Sequence, residues 1–153
     1  MKTVKILLSL VVVAGVLLTS CKKDDEPTPS TPTKATVTGY VYADLDLTEA
    51  GFEYAPSGTK IMAWVDTEEL FVNPNPALTY PKKFYEATVG ADGKYSLSIE
   101  VGNNPVTVNI EPGDFWFNQQ VTIDDVEVKK YSMVPVSIDV LNNQTKILDL
   151  VFF

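Results

Sequence analysis

Between about residue 35 and residue 153, apolar and polar side chains change places at every second position, and the pattern restarts after short runs of Gly, Pro, Asn or Asp. A period of two belongs to a strand with one buried face, and no long segment keeps the 3.6-residue period of an amphipathic helix. Val37, Gly39 and Val41 alternate with Thr38, Tyr40 and Tyr42, and Ile61, Ala63 and Val65 with Met62, Trp64 and Asp66. Tyr95, Leu97 and Ile99 face away from Ser96, Ser98 and Glu100; Val106, Val108 and Ile110 face away from Thr107, Asn109 and Glu111. Further strands are expected over 84–89, over 115–123 with Phe115, Phe117, Val121 and Ile123 inward, and over 134–140 with Val134, Val136, Ile138 and Val140 inward. The last, over 148–152, turns Leu148, Leu150 and Phe152 inward. The pattern predicts an all-β domain, an antiparallel sandwich of about seven to eight strands. Asp92-Gly93 reads as a hairpin tip, because short hairpin turns need positive φ. Asn142-Asn143 reads as a second turn, and Asp124, Asp125 and Glu127 as a polar connection between strands.

The first 34 residues follow other rules. Lys2 and Lys5 precede an apolar run over 6–18, the arrangement of a secretory signal. The run is shorter than the roughly 20 residues a membrane-spanning helix requires. Leu18-Thr19-Ser20-Cys21 then resembles the lipobox of bacterial lipoproteins: a branched apolar residue, two small residues and a cysteine. The resemblance implies cleavage before Cys21 and acylation of Cys21, which makes outer-membrane lipid a partner. Each buried methylene of such an anchor contributes about 0.8 kcal/mol, so several acyl chains hold firmly. Next, Lys23, Asp24, Asp25 and Glu26 are similar to the surface-export signal of Bacteroidetes lipoproteins, which implies the outer face of the outer membrane. The alternative is a charged tether facing the periplasm. Residues 27–34 (PTPSTPTK) have the composition of an extended spacer. The expected organisation is a signal peptide over 1–20, a lipidated cysteine with its tether over 21–34, and a sandwich over 35–153.

Composition narrows the function. Of 153 residues, 45% are hydrophobic and 21% charged; 20 Asp plus Glu face 12 basic residues, all lysine, for a net charge of −8. Loss of residues 1–20 removes two lysines and no acid, leaving −10. An acidic chain without arginine lacks the guanidinium forks that read phosphate and guanine, so nucleic acid is not an expected partner. Absence of histidine and a single cysteine remove imidazole bases, Cys-based zinc sites and disulfides. No cofactor is expected. Paired carboxylates remain available for glycoside hydrolysis, but small sandwiches with short loops seldom enclose a cleft that raises an acid's pKa. The chain is therefore expected not to be an enzyme.

Four segments together suggest a family. Thr38-Gly39-Tyr40-Val41-Tyr42, Pro56-Ser57-Gly58-Thr59-Lys60-Ile61, Ala91-Asp92-Gly93-Lys94-Tyr95-Ser96-Leu97 and Val106-Thr107-Val108-Asn109-Ile110 resemble successive signatures of carboxypeptidase regulatory-like domains. The resemblance covers residues 36–111 and implies a transthyretin-like (prealbumin-like) sandwich, with an immunoglobulin-like Greek key as the other topology. It implies no reaction, because such a fold fixes no chemistry. The chain departs from the family in a long insertion over 66–83 and in strands added over the last 40 residues or so.

Three groups carry candidate chemistry. Asp44, Asp46, Thr48 and Glu49 alternate hard oxygen donors that calcium accepts, with Glu53 as a further donor. Glu49 occupies the position where an EF-hand needs glycine, so a solvated acidic loop is the main reading and Asp44 and Asp46 are weak candidates. Tyr40, Tyr42 and Trp64 lie on predicted outward faces, Phe71 and Tyr80 lie in the insertion, and Trp116 opposes Phe115 and Phe117. Flat rings at a surface suit a glycan or an envelope protein; the competing reading makes Trp64 and its neighbours core beneath the insertion. Long irregular segments often hold binding sites, so Trp64, Phe71 and Tyr80 are the candidate ligand contacts. The terminal Val151-Phe152-Phe153 reads as the end of a core strand. The expected function is a surface-exposed outer-membrane lipoprotein acting as a noncatalytic binding or structural module, with an accessory glycan-binding lipoprotein as the alternative.

Overall fold

A computed structural model describes residues 33–153. Cys21 and the Lys23, Asp24, Asp25, Glu26 run lie outside the described residues. The regular structure of the described chain is nearly all strand: β1 (Thr33–Ala43), β2 (Glu53–Tyr54), β3 (Lys60–Asp66), β4 (Lys82–Thr88), β5 (Lys94–Val101), β6 (Val106–Pro112), β7 (Phe115–Thr122), β8 (Asp125–Tyr131), β9 (Val136–Val140), β10 (Thr145–Ile147) and β11 (Leu150–Phe152). One turn of 3-10 helix, Thr67–Leu70, follows β3. No helix among the described residues is long and apolar enough to cross a membrane.

The first sheet is built on β1. β5 runs antiparallel along one side of it, with β2 pairing its last residues, while β10 and β11 run parallel to it on the other. The second sheet has the order β4-β3-β6-β9, antiparallel throughout. Alternation places Val37 and Val41 of β1, Leu97 and Ile99 of β5, Ile61 and Val65 of β3 and Val108 and Ile110 of β6 in one fully buried cluster. Each such side chain contributes about 1.5–3 kcal/mol by leaving water, and together they hold the two sheets face to face. Tyr95 and Phe152 fill the same core, and the Tyr95 hydroxyl donates to the Leu148 carbonyl at 2.9 Å.

Between β10 and β11 the edge strand steps out of register. The Leu148 N–H donates to the Thr38 carbonyl at 2.9 Å, and the Asp149 carboxylate accepts from the Tyr40 N–H at 2.8 Å. A Cβ on Gly39 would lie 2.0 Å from the Leu148 carbonyl oxygen, so this close approach requires glycine.

Register places the loops at two ends. β1 climbs over eleven residues, roughly 30 Å at the strand rise, from Thr33 at the near end to Ala43 at the far end. Thr33 pairs with Val101, so the turn over 102–105 and the insertion after β3 lie at the near end, where the chain enters. Residues 44–52, the turn over 90–93, the β7–β8 hairpin and the C-terminus lie at the far end.

Several expectations are corrected. Among the described residues there are eleven strands, nine in the two facing sheets and two in the β7–β8 pair; β10 and β11 run parallel to β1, and Thr33 and Lys34, expected in the tether, belong to β1. The stretch read as a polar connection is β8, which carries Asp125 and Glu127; Asp124 alone stays in the turn. Phe117 and Ile123, expected inside, are exposed because β7 and β8 form a two-stranded arm that buries only its base, and Val134, expected inside, is exposed in the connection between β8 and β9. Phe153 is exposed too, and Phe152 is the core residue. Asp92-Gly93 joins β4 of one sheet to β5 of the other, so it is a corner between sheets and not a hairpin tip. The Gly93 N–H donates to Gly90 O at 3.1 Å, and of the pair only Gly93 has positive φ, 75°. Asn143, with φ 57°, does occupy the left-handed turn expected at Asn142-Asn143.

Candidate binding surfaces at the two ends

At the near end the insertion folds on itself. The Phe71 and Tyr80 rings meet at 5.1 Å with a 55° tilt. The Tyr80 hydroxyl accepts from the Asn75 N–H at 2.8 Å, and the Thr67 hydroxyl donates to the Pro81 carbonyl at 2.6 Å, closing the loop's mouth. The Glu69 carboxylate reaches across to accept from the Thr107 N–H at 2.5 Å, fixing the 3-10 helix to β6. Between the insertion and the 102–105 turn lies a cavity of about 390 Å³, lined by Asp66, Glu68, Glu69, Phe71, Val72, Pro74, Asn104 and Pro105. It combines carboxylate acceptors with apolar walls, which suits a ligand with hydroxyl donors and an apolar face.

Trp64 is not part of that lining. It sits half-buried on the outward face of β3, opposite Phe84 of β4, with the Lys82 ammonium 3.2 Å from the ring centroid. Lysine thus covers one face of the indole through a cation–π contact. The insertion does not roof this sheet: Phe84 is 70% exposed and Met62 is also exposed. The reading of Trp64 as core beneath the insertion is therefore corrected. The structure brings Phe71 and Tyr80 together, leaves Trp64 apart, and adds Phe84, whose strand position was legible but whose pairing with Trp64 needs the register.

Toward the far end the outward face of β1 carries a second aromatic group. Tyr42 pairs with Tyr54 across β2, and Tyr40 with Lys94 across β5. The Tyr40 and Tyr54 rings stack at 5.4 Å and 14°, and Tyr42 meets Tyr54 at 5.5 Å. The Lys94 ammonium lies 5.2 Å from the Tyr40 centroid. Hydrogen bonding with Tyr40, then the charge of Asp92, holds Lys94 above the usual lysine range. Burial first, then Asp149, pushes the Tyr42 phenol up. Beside this ledge a groove of about 270 Å³ runs along Thr38, Gly39, Tyr40, Lys94 and Ile147. Tyr54 belongs to a two-residue strand with no periodic signal, which is why sequence reasoning missed it.

The acidic loop spends its oxygens on its own backbone. Asp46 Oδ1 accepts from the Thr48 hydroxyl at 2.6 Å and the Thr48 N–H at 2.9 Å, which holds the Asp46 carboxyl below its usual range. Glu53 Oε2 accepts from the Leu45 N–H at 2.7 Å, and the Asp44 main-chain carbonyl accepts from Tyr131 and Gln119. Among the described residues no group of three or more His, Cys, Asp or Glu is placed to hold a metal ion, so Asp44 and Asp46 are not brought into a calcium site. Neither a protein-family model nor a curated protein matches this chain.

Proposed function

We propose that the protein is a lipoprotein of the bacterial outer membrane, anchored through an acylated Cys21 and turned toward the cell surface, whose sandwich is a noncatalytic binding or structural module. The observation that carries this reading is the division of the chain. The single cysteine closes the lipobox-like run over 18–21, and Thr33, twelve residues on, lies at one end of the central strand. Twelve residues reach at most about 40 Å, so the tether can lift the domain clear of the lipid while the far end faces outward. A carboxypeptidase regulatory-like module fits this role, as its quoted segments fall on β1, β3, β5 and β6 and the turns before them.

The near-end cavity favours a second reading, an accessory glycan-binding lipoprotein, because carboxylates beside Phe71 and two prolines match the hydroxyls and flat apolar faces of sugars. A glycan array and an envelope pull-down with the domain over 33–153 test both readings. Capture of one glycan class, lost on Phe71→Ala, supports the second reading. Capture of an envelope protein without glycan supports the first. Turnover of an arrayed glycan would contradict a noncatalytic module.

A further inference from the structure

The β7–β8 arm has an open edge, and its main-chain polarity follows from the hydrogen bonds at its base. The Gln120 N–H donates to the Leu45 carbonyl, and the Gln120 carbonyl accepts from the Leu47 N–H, both at 2.8 Å. Gln120 therefore turns its main chain away from β8, and so does Asn118, two residues earlier on the same side. Their register partners are Val126 and Val128. Each such pair is of the non-hydrogen-bonded kind, so Val126, Val128 and, by alternation, Lys130 point their N–H and C=O groups outward, away from β7. Ser132 continues the same phase, exchanging two hydrogen bonds with Phe153 at 3.1 and 2.9 Å. The C-terminus thus covers the edge at Ser132, and among the described residues β8 pairs with β7 alone along 126–130.

We infer that this edge pairs with the same edge of a second copy, antiparallel, about a twofold axis at Val128. The register follows from main-chain pairing and charge together. With Val128 opposite the partner's Val128, Val126 lies opposite the partner's Lys130, and all six outward main-chain groups of each copy meet partners. Glu127 then lies opposite the partner's Lys129, twice over. A shift of the axis to residue 127 sets Glu127 against its own copy, and a shift to 129 sets Lys129 against its own. Opposite charges directly facing each other stabilise a sheet and like charges destabilise it. The axis at 127 also faces Asp125 with the partner's Lys129, but it carries Lys130 opposite Asp124 in the turn, and the axis at 129 carries Val126 opposite Ser132, which Phe153 already holds. The axis at 128 alone joins opposite charges with full main-chain pairing. The free stretch also ends where pairing must end, since the hairpin turn precedes Asp125 and Phe153 takes over at Ser132. The resulting four-stranded ribbon joins the exposed faces of two arms, setting Val126 and Val128 beside those of the partner, with Trp116 behind.

The test uses the full chain in detergent and in membranes of cells that express it. Under mild oxidation Val128→Cys should give a crosslinked dimer above the wild-type background, which controls for Cys21, and Ile123→Cys at the arm's tip should give none. In sedimentation velocity Glu127→Lys should weaken association about tenfold, two repulsive pairs having replaced two attractive ones. The double variant Glu127→Lys with Lys129→Glu should restore it, because the swapped charges again face opposite charges. A monomer at every concentration overturns the inference and leaves the edge for a strand of another protein. Crosslinking at Ile123 but not Val128, or a double variant as weak as the single one, also overturns it.

Discussion

The near and far ends of this sandwich both project chain beyond the core, yet they are held in different ways. The insertion at the near end is tied by single hydrogen bonds and by one aromatic pair of its own, Phe71 with Tyr80, and it bounds a cavity. The arm at the far end is rooted in the core. Phe115 stacks on Tyr131 at 5.1 Å and 11° and meets Phe152 at 5.0 Å, while the Tyr131 hydroxyl and Gln119 amide donate to the Asp44 carbonyl. A loop fixed by itself can adjust around a ligand. A ribbon fixed by buried rings holds its edge in a set direction, as strand pairing requires.

That contrast breaks most visibly at Tyr131. Tyr131→Ala should cost about 3–5 kcal/mol, since it empties a buried ring site and strips a donor from the Asp44 carbonyl. Its counterpart Tyr80→Ala should lower only the hydrogen-exchange protection of the insertion, by about 1 kcal/mol, and leave the global midpoint in place. Equal global losses would remove the distinction between the ends.

Gly93→Val ranks next. The left-handed φ and a Cβ built 2.4 Å from the Tyr54 ring oppose it together, so about 2 kcal/mol or more should be lost in denaturant unfolding, with the tyrosine ledge displaced. A neutral substitution would show that Tyr54 moves freely and that the ledge is not built.

Alkaline titration gives a smaller, graded effect. Burial, then the Asp149 charge, pushes the Tyr95 phenol far above the usual phenol range, and burial raises Tyr131 and Tyr85 as well. The unfolded chain then loses these protons first. Stability is full below pH 10 and falls above it by up to about 1.4 kcal/mol per pH unit for Tyr95 alone. Tyr95→Phe should flatten that slope while lowering stability at neutral pH through the lost bond to Leu148. An unchanged slope would place its hydroxyl in water.

Trp64→Ala and Trp116→Ser should change stability least, within about 1 kcal/mol, since one ring is half-buried under Lys82 and the other is exposed. They should separate in function: a ligand of the near-end cavity is indifferent to Trp116, and self-association is indifferent to Trp64.

Much of this was legible where a strand has one wet and one dry face. Val37, Val41, Leu97, Ile99, Val108 and Ile110 announce their faces by alternation alone, and all are core. The signal fails where burial fails. In β8 both faces meet solvent except at Tyr131, so Val126 and Val128 alternate with Glu127 and Lys129 without a core to explain them. Ile123 and Val134 continue the alternation of their segments yet lie exposed. The candidate contacts were legible as residue types only. Phe71 with Tyr80 follows from a loop closure that no period encodes, and the tyrosine ledge depends on β2, two residues long.

Everything proposed about where these two ends face depends on the anchor at Cys21, and metabolic labelling with palmitate reads it directly. The account predicts that the wild-type chain takes up label in the membrane fraction and that Cys21→Ala accumulates as an unlabelled, uncleaved precursor. Label retained at the wild-type level by Cys21→Ala would contradict it.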